Sequence, residues 1–295
     1  MNEFIITLRE TLEASLIIGI VLTFLNKNGL HHLKRSAWQG LLAAIIASIL
    51  VAAFFMFIRN NIHSEAYEKL FEAFMMYLAA GFLSYMIIWM AKNTNVKQNL
   101  ENNIQQNTTQ KAIFALVFFA VIREGFETVL FLFASFQATK SFSYLGFCLG
   151  IAGAIFLGYQ IFVLGKRVDI KNFFRFTSIL LIFMAAGMIA YGTHEMEEFL
   201  VKMSWINEEN IQRPFDILKP LKEMPENAWF YTQKGEKFYH WLHDKGAIGE
   251  FLKGFLGYNS NPNWIELVLW FISLISIFYL WKQAMNLKVI KKQEG

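Results

Sequence analysis

The chain has 295 residues, of which 55% are hydrophobic and only 17% charged, with a net charge of +4. That length alone would allow one or two soluble domains, but the apolar residues are grouped into runs of about 20, the length that crosses a ~30 Å hydrocarbon core as a helix. A β-barrel is excluded because its strands would be short and alternate in polarity, and the basic excess points to cytoplasmic loops rather than to nucleic acid.

Seven apolar segments follow in order. They run from Phe4 to Leu25, Ser36 to Ile58, Leu70 to Ala91, Ala112 to Phe136, Phe142 to Leu164, Phe174 to Thr193 and Trp264 to Trp281. The first has no basic leader and no small-residue cleavage site, so it reads as a span rather than a cleaved signal. The single Cys148 leaves no intrachain disulfide and reads as a small buried or lipid-facing residue.

Basic residues orient the bundle. Lys27, Lys34 and Arg35 follow the first segment, Lys92, Lys97 and Lys111 the third, and Lys166, Arg167, Lys171 and Arg175 the fifth. Lys282, Lys288, Lys291 and Lys292 lie in the tail, whereas the short loops on the opposite side hold only Arg59, Lys69 and Lys140. The positive-inside rule therefore places the N-terminus outside and the C-terminus inside.

The expected fold is an all-α integral membrane protein of seven transmembrane helices. Ala79-Ala80-Gly81 with Tyr85 and Met90 matches Ala185-Ala186-Gly187 with Tyr191 and Met196, and Gly40 matches Gly146. Residues 1–91 and 112–198 thus read as two three-helix repeats. Three is odd, so the second repeat is inverted, an architecture in which transporters hold their site at the repeat interface. Residues 92–111, rich in Asn and Gln, read as a cytoplasmic linker. Residues 199–263 read as an external aromatic loop with short helices on the membrane face, Ile248 to Leu256 among them, and 264–295 as the last helix and a basic tail. Trp264, Trp270 and Trp281 suit interfacial anchoring or lipid contact.

Charges inside two of the segments carry the chemistry. Arg9-Glu10-Thr11-Leu12-Glu13 lies in the first and Arg123-Glu124-Gly125-Phe126-Glu127 in the fourth. At 3.6 residues per turn, Arg9, Glu10 and Glu13 share one arc of their helix, and Arg123, Glu124 and Glu127 repeat the arrangement. Each such charge near the bilayer centre costs roughly 2.5–3.5 kcal/mol on insertion scales. Joining two helices needs nothing so expensive, since small and neutral polar residues do it. Four carboxylates against two guanidiniums suit a cation, and carboxylate oxygens favour hard ions such as Fe(III), Mn(II), Mg(II) or Ca(II). A second group, His194, Glu195 and Glu198 with Glu197, closes the sixth segment and is placed to gather metal at the outer mouth. Glu65, Glu68 and Glu72 read instead as a solvated acidic helix face.

At these motifs the sequence resembles the high-affinity ferric iron permeases, the family of fungal Ftr-type and bacterial EfeU-type proteins. Their paired signature is Arg-Glu-Gly-Leu-Glu; here Thr11 replaces the first Gly and Phe126 the second Leu. His194-Glu195-Met196-Glu197-Glu198 looks like the family's His-Glu-Leu-x-Glu, and Gly254-Phe255-Leu256-Gly257-Tyr258 with Pro262 resembles the bacterial link into the last span.

The resemblance implies an inner-membrane iron importer, not an enzyme. Its metal ligands would be Glu10, Glu13, Glu124, Glu127, His194, Glu195 and Glu198, with Arg9 and Arg123 orienting them. No cofactor is expected to be permanently bound, iron being the substrate. Delivery of Fe(III) by a separate ferroxidase or a periplasmic iron-delivery protein is implied, and a homo-oligomer is compatible with the chain. The charge positions place Glu10 and Glu13 nearer the outer face and Glu124 and Glu127 deeper, as successive or facing ligand sets. Rival readings are a permease for another cation such as Mn(II) or Pb(II), an intramembrane carboxylate enzyme, and a metal-binding scaffold without flux.

Overall fold

The structure is a computed structural model that describes residues 2–92, 109–165, 170–207, 211–214, 221–222, 228–234, 237–244 and 246–293. Among these residues the chain forms α1 (Asn2–Lys27), α2 (Lys34–Asn60), α3 (Glu65–Lys92), α4 (Gln110–Thr139), α5 (Tyr144–Phe162), α6 (Ile170–Lys202), α7 (Ala247–Leu256) and α8 (Trp264–Gln293). A two-stranded antiparallel hairpin, β1 (Tyr231–Lys234) and β2 (Lys237–His240), precedes α7. Most of the linker expected at 92–111 falls outside the described residues.

The helices start and stop where local chemistry requires. Thr109 accepts a hydrogen bond from Ala112 N at the start of α4, and Ser143 does the same for Gly146 N at the start of α5, each satisfying a backbone donor that the first turn leaves free. The turn after α1 passes through Gly29 at φ 68°, the left-handed conformation that a Cβ disfavours.

Helices α2, α3, α5, α6 and α8 are long and apolar enough to cross a membrane. α1 and α4 are of similar length and carry the two charged motifs. Much of the apolar surface is exposed. Leu42, Ile45, Ile49, Leu50, Phe54 and Phe57 cover the outside of α2, and Phe271, Ile272, Ile275 and Tyr279 that of α8. Contiguous apolar faces of this extent are abnormal in water and ordinary in lipid.

The principal helix pairs are α3 with α6, α1 with α5 and α2 with α4, and α1 also packs on α4. Exchanging the first three helices for the next three maps this set of pairs onto itself. The correspondence reaches single residues. A Cβ on Gly40 would meet Phe114 O at 2.7 Å and Phe118 N at 3.3 Å, while one on Gly146 would meet Phe4 N at 3.5 Å. Gly40 and Gly146 are the matched glycines of the sequence, and Phe4 stands to Arg9 as Phe118 stands to Arg123. Absence of a side chain lets each helix pair close at the same place.

Two hydrophobic clusters fill the interior. The larger joins Ile5, Ile6, Met75, Leu83, Leu130, Phe131, Ala134, Leu181, Met188 and Trp281; the smaller joins Val21, Leu25, Leu33, Val117 and Val121. α1 runs from the larger cluster to the smaller and α4 from the smaller to the larger, so the two are antiparallel. Both motifs fall at the seam between the clusters.

Four expectations need correction. The sixth segment continues as helix to Lys202, because His194, Glu195 and Glu198 find partners on α3 and α8 rather than in water. Glu72 is not on a solvated face but is buried, with Arg59, Lys69 and Lys140 around it. Trp281 is buried within the larger cluster, and only Trp264 of the three tryptophans is exposed; Trp270 donates to Leu256 O at 2.8 Å, tying α8 to α7. The 199–263 stretch contains the hairpin as well as the expected short helix.

Candidate functional site

Glu10, Glu13, Glu124 and Glu127 are all buried, and Arg9 is fully so. One carboxylate oxygen from each of Glu10, Glu124 and Glu127 lies within 4.8 Å of the others, the only such set among the described residues. The two motifs therefore face one another at a single level. The greater depth expected for Glu124 and Glu127 reflects the unequal lengths of α1 and α4 beyond their motifs.

Each arginine lies along its own carboxylates. Arg9 Nε lies 3.0 Å from Glu13 Oε1, without the alignment of a hydrogen bond, and Nη1 lies 3.6 Å from Glu10. Arg123 Nη2 lies 2.5 Å from Glu124 Oε1 and Nε 3.6 Å from Glu127 Oε1. The arginines differ in setting, since the Arg123 side chain is 44% exposed and that of Arg9 is 0% exposed.

Several site atoms carry no hydrogen bond. Glu127 Oε1 and Oε2, Glu10 Oε2, Glu124 Oε2 and Glu13 Oε1 are all buried without one. Buried anionic oxygens left without donors are costly, and a cation is the partner that resolves them. Hard, oxygen-only donors on two rigid helices offer the start of a coordination shell for a hard metal ion.

α3 supplies two neighbours that motif reasoning does not reach. Arg9 Nη2 donates to Met90 Sδ at 2.8 Å, and the Arg123 guanidinium lies 5.4 Å from the centre of the Trp89 ring. Met90 is visible in the sequence only as a repeat marker, and the adjacent Trp89 gives no signal. Two residues of the second motif, the matching Gly125 and the departing Phe126, have local causes. A Cβ on Gly125 would collide with Ser48 Oγ, while Phe126 packs edge-on against Phe55 and Phe82.

The second sequence-predicted group has a different environment. His194 places Nε2 3.1 Å from Glu198 and Nδ1 2.9 Å from Glu266. Lys69 Nζ lies 2.6 Å from Glu195 and 2.7 Å from Glu198. Lys140 Nζ lies 2.6 Å from both oxygens of Glu72. Glu266, an isolated acid at the start of an apolar run, is not expected here from the sequence. Asn263 Oδ1 accepts from Glu266 N at 2.6 Å while its amide donates to Glu197, and Asn259 donates to Glu266 Oε2. A cavity of about 300 Å³ opens beside this group, lined by His194, Glu197, Glu198, Arg213 and Glu266 among others.

Helices with apolar exterior faces around a buried, oxygen-lined acidic cluster define a multi-pass membrane protein. The Iron permease FTR1 family matches residues 1–220, and the chain belongs to that family. It is 30% identical to the "Ferrous iron permease EfeU" of Yersinia pestis over 288 residues, 94% of this chain and 91% of the relative. To the EfeU of Escherichia coli O6:K15:H31 (strain 536 / UPEC) it is 31% identical over 283 residues, 92% and 91% of the two chains. An uncharacterized protein of Archaeoglobus fulgidus is 35% identical over 270 residues, 91% and 90%. No solved structure matches. The chain is an iron permease of the membrane, and its family is one of transporters rather than enzymes.

Proposed function

We infer that this permease carries iron inward across the inner membrane through the glutamates of its two motifs. The observation that supports this reading best is the convergence of Glu10, Glu124 and Glu127 oxygens within 4.8 Å, from two helices and in a buried setting. Glu13 adds a fourth carboxylate through Arg9. Four carboxylates and two guanidiniums leave a formal surplus of two negative charges. The arginines orient the acids, balance part of their charge when the site is empty, and temper the hold on the ion so that it also leaves.

In this reading α1 to α6 and α8 span the bilayer, with the N-terminus outside. The helix-pair pattern, unchanged on exchange of the two halves, supports an inverted repeat with the site at its interface. Fe(III) is the proposed cargo on the hardness of the donors, whereas the bacterial relatives carry the name of ferrous permeases. Oxidation or delivery by a separate protein fits the Fe(III) form. The charged group around His194 lies outside the proposed ligand set, because its carboxylates already hold cations.

The test is uptake of radioactive iron into vesicles holding only this protein, with Fe(II) and Fe(III) offered separately. Replacing Glu124 and Glu127 by Ala should lower uptake by about a hundredfold or more, as expected where the ion's own ligands are removed, with normal insertion into the membrane. Wild-type flux in that variant would defeat the reading. Preference for Fe(II) would keep the site and reassign the cargo, and competition by Mn(II) at equal concentration would show that hardness alone governs selection.

A further inference from the structure

Both motif arginines touch the end of α3. Arg123 gives Glu124 Oε1 both Nε, at 3.2 Å, and Nη2, at 2.5 Å, and its guanidinium also lies 5.4 Å from the centre of the Trp89 ring. Arg9 donates Nη2 to Met90 Sδ at 2.8 Å, while its Nε and Nη1 are buried without a hydrogen bond. Adjacent residues of one helix thus each hold the guanidinium of a different motif. Each guanidinium is shared between carboxylates and an uncharged partner. For Arg123 that partner is an indole face, and for Arg9 it is a thioether, a weak acceptor.

The sequence repeat does not account for the indole. With Tyr85 matched to Tyr191 and Met90 to Met196, Trp89 matches Glu195, and Glu195 holds Lys69 rather than a motif arginine. α6 therefore has a carboxylate where α3 has an indole. A carboxylate beside Arg123 would add another negative charge and compete with Glu124 for the guanidinium. An indole face attracts the same cation without adding charge. The surroundings leave Arg123 free to shift. Its side chain is 44% exposed, and Glu124 Oε2 and both oxygens of Glu127 carry no hydrogen bond.

We propose that Trp89 is a positioning residue of the iron site, the seat onto which the Arg123 guanidinium withdraws when the ion takes Glu124 and Glu127. The inference rests on the reading that these glutamates carry the ion. An arriving cation repels the guanidinium and competes with it for carboxylate oxygen. As the pair with Glu124 loosens, the guanidinium presents more net charge to the ring, so the ring's hold grows as the carboxylate's falls. That difference between the empty and the filled site is what lets Trp89 favour iron binding. The seat also keeps Arg123 beside the glutamates, in place to return when the ion leaves. Met90 gives Arg9 a corresponding weak partner, but the Arg9 side chain is 0% exposed, so Arg123 is the guanidinium with room to move.

The experiment measures equilibrium binding of Fe(II) and of Fe(III), and the concentration dependence of iron uptake into vesicles. It compares wild type, Trp89→Met, Trp89→Phe, Arg123→Met, Trp89→Met/Arg123→Met and Glu124→Ala/Glu127→Ala. Trp89→Met keeps bulk and helix propensity and removes the ring. It should weaken iron binding and raise the half-saturating concentration for uptake about tenfold, with maximal flux within about twofold of wild type. Trp89→Phe keeps a smaller ring and should lose only about threefold. In the Arg123→Met background, Trp89→Met should change binding by less than about twofold, since no guanidinium is left to seat. Wild-type affinity in Trp89→Met overturns the seat. So does an equal loss with and without Arg123, which is what a purely structural role for the indole gives. Wild-type iron binding by Glu124→Ala/Glu127→Ala overturns the glutamate reading itself. If Trp89→Met fails to accumulate, Trp89→Phe carries the same cycle, with its smaller loss expected to vanish when Arg123 is absent.

Discussion

Two groups of carboxylates occupy this bundle, and they resemble one another only in sequence. The motif glutamates and the group at the bundle end both place acids three residues apart on a helix. At the seam between the two cores, four glutamates meet two arginines, and five buried carboxylate oxygens lack a hydrogen bond. At the bundle end, Glu72, Glu195, Glu198 and Glu266 meet Arg59, Lys69, Lys140 and His194. There each of these four carboxylates lies within 4 Å of a basic side chain. An acidic helix face keeps a surplus of negative charge when the fold brings it too few basic partners, and becomes a clamp when each acid is given one.

The largest effect on stability should come from the most enclosed charge. Arg9 has 0% side-chain exposure and faces Glu10 and Glu13. Arg9→Met leaves those carboxylates buried and unpaired, which costs about 3–5 kcal/mol where partners are fully enclosed. Arg123→Met also leaves Glu124 and Glu127 without their guanidinium, but at a side chain 44% exposed that water can replace, so it should cost less, about 1–3 kcal/mol. Thermal melting in detergent, with and without iron, measures both. Added iron should recover much of the loss in Arg9→Met, because a bound cation replaces the missing charge. Equal losses in the two variants would mean that burial does not separate the arginines.

At the bundle end the corresponding variant is Glu72→Ala. Its carboxylate is buried, but its partners Arg59, Lys69 and Lys140 are 21–48% exposed and can turn to solvent. The expected loss is accordingly smaller, about 1–3 kcal/mol, with no recovery on adding iron. Recovery with iron would place this group among the ligands.

How much of the molecule is legible in its sequence follows the same division. The motif charges stand out because nothing around them in an apolar run explains them, and helical spacing alone puts them on one face. What the sequence hides is who sits opposite. Arg59, Lys69 and Lys140 look like ordinary loop charges, useful only for orienting the chain, yet all three converge on Glu72. Glu266 looks like a stray acid at a helix start, but it holds His194 through a contact spanning 72 residues. The end of α6 looks like an acidic helix end, and the helix runs on to Lys202 with those distant partners receiving its side chains.

The smallest effect distinguishes a clamp from a pathway most cleanly. Lys69 Nζ holds Glu195 and Glu198 from α3 and lies 3.8 Å from Glu72, so it joins α3 to α6. Lys69→Met keeps the length of the side chain and removes the charge. His194 remains on Glu198 and Lys140 on Glu72, but the buried Glu195 loses its cation, so the loss of stability should be about 1–2 kcal/mol. Uptake should stay within about twofold of wild type, because no group on the proposed route changes. A loss of flux as deep as that of the Glu124→Ala/Glu127→Ala variant, in protein of normal stability, would make the group at the bundle end part of the transport path.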